Sequence, residues 1–95
     1  MIRNVTLIKF KPGTTPEQID RIENALLAMG VPGTIHLSVG RDAGLREGNM
    51  DAAVVSDHED EEAYRSYDQD PEHNRIRREL VGPVTERVER VQYRI

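Results

Sequence analysis

Apolar and polar residues alternate from Ile2 to Phe10, and that alternation predicts a strand. Val5 and Leu7 share one face, while Ile2, Asn4, Thr6, Ile8 and Phe10 share the other. Both faces carry apolar side chains, so both are expected to be at least partly covered. After the turn Lys11-Pro12-Gly13-Thr14 the period becomes helical. Thr15 reads as an N-cap, Pro16 as the first helical residue, and Gln18 completes a capping box. Ile19, Ile22, Leu26 and Met29 form the apolar stripe, and Gly30 is the expected C-terminal cap. Val31-Pro32-Gly33 turns into a second strand over 34–39, where Ile35, Leu37 and Val39 alternate with His36 and Ser38. Residues 40–49 carry three glycines and read as a long connection without a phosphate-loop pattern. A third strand is predicted over 51–57, nearly continuous in apolar character through Ala52, Ala53, Val54 and Val55.

Asp60-Glu61-Glu62 opens a second helix with its acids at the favourable positive end, and Ala63, Tyr64 and Tyr67 form its inward side. Pro71 interrupts it, because proline lacks an amide donor and drives Asp70 away from helical angles. The helix restarts with Asp70 as N-cap, Pro71 first and His73 third, and Ile76 and Leu80 continue the stripe. Arg75, Arg77 and Arg78 are expected to be exposed or paired. Gly82-Pro83 ends the helix, and a last strand follows over 88–95, with Val91, Tyr93 and Ile95 alternating.

The order strand, helix, strand, strand, helix, strand is an α+β plan, the ferredoxin-like βαββαβ protomer, in one domain over 1–95. Its helices cover one face of a four-stranded sheet and leave the other in need of a partner. A chain of 95 residues with 37% hydrophobic content and no cysteine has a modest core and no disulfide or thiolate–zinc staple. A second copy is the expected cover, giving a homodimer. The net charge of −4 has no basic block beside it, so neither nucleic acid nor an anionic membrane is an expected partner. The first strand begins at once, with no signal-peptide core or bilayer-length run, and a cytoplasmic location is the expectation.

Tyr67 and His73 carry the candidate chemistry. On an unbroken helix, six residues would leave these side chains on different faces. The break at Pro71 lets the backbone turn one toward the other, setting a phenol donor beside an imidazole base. The first helical turn disfavours the imidazolium at His73, and Glu72 acts in the opposite sense. The bland alternatives are a junction cap for His73 and a core tyrosine with a wet hydroxyl for Tyr67; Tyr64 competes for the same part. Asn4 is either a satisfied buried amide or a ligand contact, and Asp51 either a strand-start carboxylate in water or a ligand contact. His36 and His58 are expected at the surface or an interface. The three histidines show no metal-ligand spacing, and the acids over 57–62 lack the alternation of a calcium loop.

Several segments in order resemble the stress-responsive A/B barrel, or Dabb, family. They are Met1-Ile2-Arg3-Asn4-Val5 leading to Lys9-Phe10-Lys11-Pro12-Gly13-Thr14, then Ser38-Val39-Gly40-Arg41-Asp42, then Asp51-Ala52-Ala53-Val54-Val55-Ser56-Asp57, then Tyr67 through Pro71-Glu72-His73. The resemblance runs from end to end. It implies a homodimer whose two sheets form one α+β barrel. It also implies a small-molecule pocket between sheet and helices that needs no cofactor or metal. Some family members are cofactor-independent polyketide cyclases, in which histidine and tyrosine promote aldol-type ring closure; Tyr67 and His73 match that pair. The family's first-strand histidine is Asn4 here, and a histidine at the start of the third strand falls at Asp51. The resemblance thus implies Tyr67 and His73 as catalytic groups and Asn4 and Asp51 as substrate contacts. Asn4 can hydrogen-bond a ligand but cannot take a proton near neutral pH. Two other expectations stand beside this one. One is a non-catalytic homodimeric stress or assembly protein. The other, from the shared barrel plan alone, is a cofactor-free monooxygenase-like enzyme.

Overall fold

A computed structural model describes all residues, 1–95. β1 (Ile2–Phe10), α1 (Pro16–Leu27), β2 (Thr34–Arg41), β3 (Ala52–His58), α2 (Glu61–Gln69), α3 (Pro71–Ile76) and β4 (Thr85–Arg94) follow in order. A π-helical turn, Arg77–Val81, and a 3₁₀ turn, Gly82–Val84, join α3 to β4. The strands form one antiparallel sheet in the order β2-β3-β1-β4, as the ferredoxin-like plan requires.

The N-caps read from the sequence at Thr15 and Asp70 are present, and Asp60 proves to cap α2. The Thr15 hydroxyl accepts from the Gln18 amide at 3.2 Å, and the Gln18 side chain accepts from the Thr15 amide at 2.9 Å. Asp60 accepts from Ala63 N–H at 2.8 Å, and Asp70 from His73 N–H at 3.0 Å. The core joins Ile8 and Phe10 of β1 to Ile22 and Leu26 of α1, Val54 of β3 and Ile76 of α3. α1 ends differently from expectation: Ala28 is its C-cap in ordinary right-handed geometry, and Gly30 does not adopt a positive φ.

The strands also depart from expectation in ways that matter. β3 is shifted by one residue, to Ala52–His58, which excludes Asp51. β2 runs on to Arg41, and β4 starts earlier, at Thr85. A bulge between Thr34 and His36 puts Ile35 outside the ladder, where it is exposed; Leu37 and Val39 alone turn to the core. In β4, Val91 pairs with Val5 and Tyr93 with Arg3, so these two side chains lie on the face without helices, while Val88, opposite Ile8, lies on the helix side. Their polar neighbours Arg90 and Gln92 lie opposite Thr6 and Asn4, on the helix side. The helices sit mainly over β2 and β3, leaving the β1–β4 side of that face less covered.

On the open face, Arg3 and Asp57 stand directly opposite and form a fork-to-fork pair at 2.7 and 2.9 Å. Arg3 holds the Asp57 carboxyl below the usual carboxylate range.

Gly33 shapes the entry to β2. The Thr34 amide donates to Val31 at 3.1 Å, with Pro32 and Gly33 between them, and Gly33 has φ +87°. A Cβ on Gly33 would lie 2.7 Å from the Ala63 Cβ of α2. Gly33→Ala is therefore expected to destabilise the fold by about 2 kcal/mol, read as a lowered urea midpoint; an unchanged midpoint would contradict this account of the turn.

Candidate functional site

The carbonyl of Tyr67 would meet the amide of residue 71 in a continuous helix, but Pro71 has no amide hydrogen. That carbonyl instead receives the Asp70 amide at 3.3 Å and the His73 Nδ1–H at 2.8 Å. Because a carbonyl can only accept, Nδ1 carries the proton and the neutral ring keeps its lone pair on Nε2. Nε2 has no protein partner and is not sealed in. The same break brings the two rings together, with centroids 4.1 Å apart and planes inclined at 38°. Both residues are almost wholly buried, at 2% exposure for Tyr67 and 5% for His73.

Both rings line one cavity of about 260 Å³ between the sheet and the helical layer. Ile8, Leu26, Val54 and Val88 supply much of its apolar wall. Asn4 lines it too. The Asn4 side-chain oxygen accepts from Gln92 at 2.8 Å, and its amide nitrogen donates weakly to Thr6 at 3.4 Å. Val81 and Gly82 close another side, because the π-helical turn carries its widened backbone past the cavity. Gly82 donates to Arg77 O across that turn, and an added Cβ would meet that oxygen at 3.1 Å.

Burial first, then the nearby Arg77 charge, pushes the His73 imidazole below its ordinary value, against the opposing bond to Tyr67 O. Burial pushes the Tyr67 phenol up, while the Ser56 hydroxyl and the Arg77 charge pull it the other way. The site thus holds a neutral imidazole with a free Nε2 beside a protonated phenol.

Of the four residues singled out in the sequence, the structure brings Asn4, Tyr67 and His73 to one cavity and leaves Asp51 outside. The Asp51 carboxylate accepts the Phe10 amide at 2.8 Å and an ammonium proton of Lys9 at 3.3 Å, so it ties β1 to the chain entering β3. Asp51, expected as a substrate contact, thus makes structural bonds here and does not line this cavity. Tyr64 also stands apart from the cavity, its hydroxyl accepting from Gln92 at 3.3 Å.

His58 is a second correction: expected at a surface or interface, it is fully buried. It packs on Tyr67 at 4.8 Å and edge-on against Tyr64 at 5.5 Å. Its Nδ1 is 3.1 Å from the Thr34 hydroxyl and its Nε2 is 2.9 Å from that of Ser56. The signal was in the alternation: Ala52, Val54, Ser56 and His58 share one strand face. Arg77 and Arg90 also line the cavity, a role not read from the sequence.

Burial lowers the His58 imidazole as well. Both buried histidines therefore bind protons less readily folded than unfolded, so the stability they contribute is present above about pH 6.5 and lost as pH falls toward their depressed folded values. The melting temperature is expected to drop as pH is lowered through about 6.5. His58→Gln, which keeps hydrogen-bonding groups without the titration, should flatten that slope; an unchanged slope would contradict the assignment.

The comparisons with known proteins agree with this fold. The family model for the stress responsive A/B barrel domain matches residues 2–95. No functionally curated protein matches the chain. Among solved structures, a dimeric ferredoxin-like protein of unknown function from Thermobifida fusca YX is 30% identical, with a TM-score of 0.89 over 99% of this chain and 90% of that one. A hydroxynitrile lyase from Passiflora edulis shares the fold at 20% identity, TM-score 0.83, covering 99% and 92% of the two chains. A Dabb family protein from Mesorhizobium loti does so at 19% identity, TM-score 0.78, over 99% and 95%. Matched over nearly its whole length, the chain belongs to the stress-responsive A/B barrel domain family.

Proposed function

We propose that this protein binds a small enolisable carbonyl compound between its sheet and helices and promotes proton transfer and aldol-type ring closure, as a cofactor-independent cyclase-like enzyme. The observation that carries this reading is the His73–Tyr67 pair on the wall of one cavity, with Nε2 unpartnered. Nε2 takes a proton from the carbon next to a carbonyl, and the C–H electrons form the enolate double bond. The Tyr67 hydroxyl donates to the carbonyl oxygen as charge builds there. The enolate carbon then attacks a second carbonyl of the same molecule, and the imidazolium returns its proton to the new alkoxide. Asn4, braced by Gln92, orients the substrate. A purely structural dimer would fill this space with its own side chains, whereas about 260 Å³ stays open.

The half-reaction can be tested without the natural substrate. Phenylacetone, incubated in D2O, should exchange its benzylic protons faster with the protein than without it, followed by proton NMR. His73→Ala should reduce that acceleration by about a hundredfold or more, and Tyr67→Phe by a comparable factor. Exchange that proceeds equally well in His73→Ala removes the base from the mechanism.

We also infer that the working unit is a homodimer closed through the open sheet face. Leu7, Val91 and Tyr93 are exposed there, with Val5 and Val55 half-buried beside them, and similar folded chains are dimeric. Sedimentation equilibrium should give twice the mass of the chain, and the melting temperature should rise with protein concentration. Leu7→Asp should shift the protein toward monomer. A parent protein that is monomeric throughout the accessible range refutes this assembly.

A further inference from the structure

We propose that the cavity selects a ligand carrying a carboxylate, with that anionic group held between Arg77 and Arg90 at the edge of the space in front of Tyr67 and His73. Placing the ligand's ketone at His73 rests on the function proposed above; the anion subsite rests on the cavity walls alone.

The chain as a whole is acidic, with 17 Asp and Glu against 13 Lys and Arg. Its cavity reverses that balance: the 13 lining residues include Arg77 and Arg90 and neither aspartate nor glutamate. Arg77 is locked in place, its Nη1 donating to Asp68 O at 3.1 Å and Asn74 Oδ1 at 3.3 Å, and its Nη2 to Asp68 Oδ1 at 2.9 Å. Such a guanidinium is pre-organised, so little freedom remains to be lost when a ligand docks on its other edge.

Arg90 differs from the other arginines of β4. Arg87 pairs with Glu89, and Arg94 with Glu61, whereas Arg90 makes no ion pair or hydrogen bond. It is also the one β4 arginine on the cavity wall, opposite Thr6 on the helix side of the sheet. Since Asp68 balances Arg77, one positive charge is left over, which suits a monoanion better than a phosphate dianion. The remaining wall is largely apolar, and about 260 Å³ lies just below the roughly 300–1,000 Å³ of drug-sized sites, so the ligand is small with an apolar body.

Phenylpyruvate and phenylacetone form a matched pair of probes. They share the ring and ketone, and the carboxylate of one replaces the methyl group of the other. Titration calorimetry at low salt should show phenylpyruvate binding at least about tenfold more tightly. The preference should shrink as salt is raised, because Arg90 is exposed. Arg90→Gln should bring the two affinities to within about threefold by weakening phenylpyruvate alone, and Arg90→Lys should restore part of the difference. Circular dichroism on both variants confirms that the fold is kept. Equal affinities in the parent, undetectable phenylpyruvate binding, or a preference that survives Arg90→Gln each overturn the proposal. His73→Ala should retain the carboxylate preference while losing exchange. A carboxylate preference without His73-dependent exchange of either probe would reject the enolisation reading and leave the anion subsite standing.

Discussion

The carbonyl of Tyr67 has no backbone amide four residues on to satisfy it, because that position is Pro71. The imidazole of His73 donates to it instead, beside a longer bond from the Asp70 amide. One absent hydrogen thereby sets three properties at once: it ends α2, it directs the His73 ring onto the Tyr67 ring, and it places the proton on Nδ1. A peptide carbonyl is a fixed acceptor, so the lone pair remains on the atom left free for a ligand. Asp70 secures the arrangement by capping the next helix through the His73 amide itself. The backbone of His73 is therefore anchored at its amide and its side chain at Nδ1, a double restraint that leaves little rotational freedom to the ring.

Behind this pair stands a buried polar layer. Tyr67 lies in contact with both His58 and His73, and the Ser56 and Thr34 hydroxyls satisfy the two nitrogens of His58. A buried imidazole with both nitrogens engaged is held in one orientation, and a ring packed on it is held too. The arrangement belongs to the sheet rather than to the helices: Ser56 and His58 come from one strand, and Thr34 enters through the Gly33 turn, which also fits against Ala63 of α2. Rigid elements thus support the phenol from below while the helix break positions its partner.

Charge is distributed in the same economical way. Arg77 adds to burial in disfavouring a positive charge on His73, and the same guanidinium favours a negative charge on an incoming group. The helices lie over β2 and β3, and Arg90 of β4 can reach the cavity from the side they leave uncovered. The opposite face of the sheet carries the exposed apolar side chains that invite a second copy.

Local chemistry was legible in the sequence wherever it is settled within a few residues. The N-caps at Thr15 and Asp70, the break at Pro71 and the order of strands and helices all follow from neighbours along the chain, and each stands as read. Tyr67 and His73 were recognisable because six residues and a proline determine their relation. What the chain alone could not decide was which face of each strand the helices would cover. Val91 and Tyr93 were the visible apolar pattern of β4, yet pairing with β1 turns them to the open face and brings Arg90 to the cavity. His58 likewise looked peripheral, although it shares the Ala52, Val54 and Ser56 face and packs on Tyr67, and the Asp51 carboxylate proved to be engaged by the Phe10 amide. Side chains on a strand alternate sides at every residue, so register is a property of the paired sheet, and only the tertiary structure supplies it.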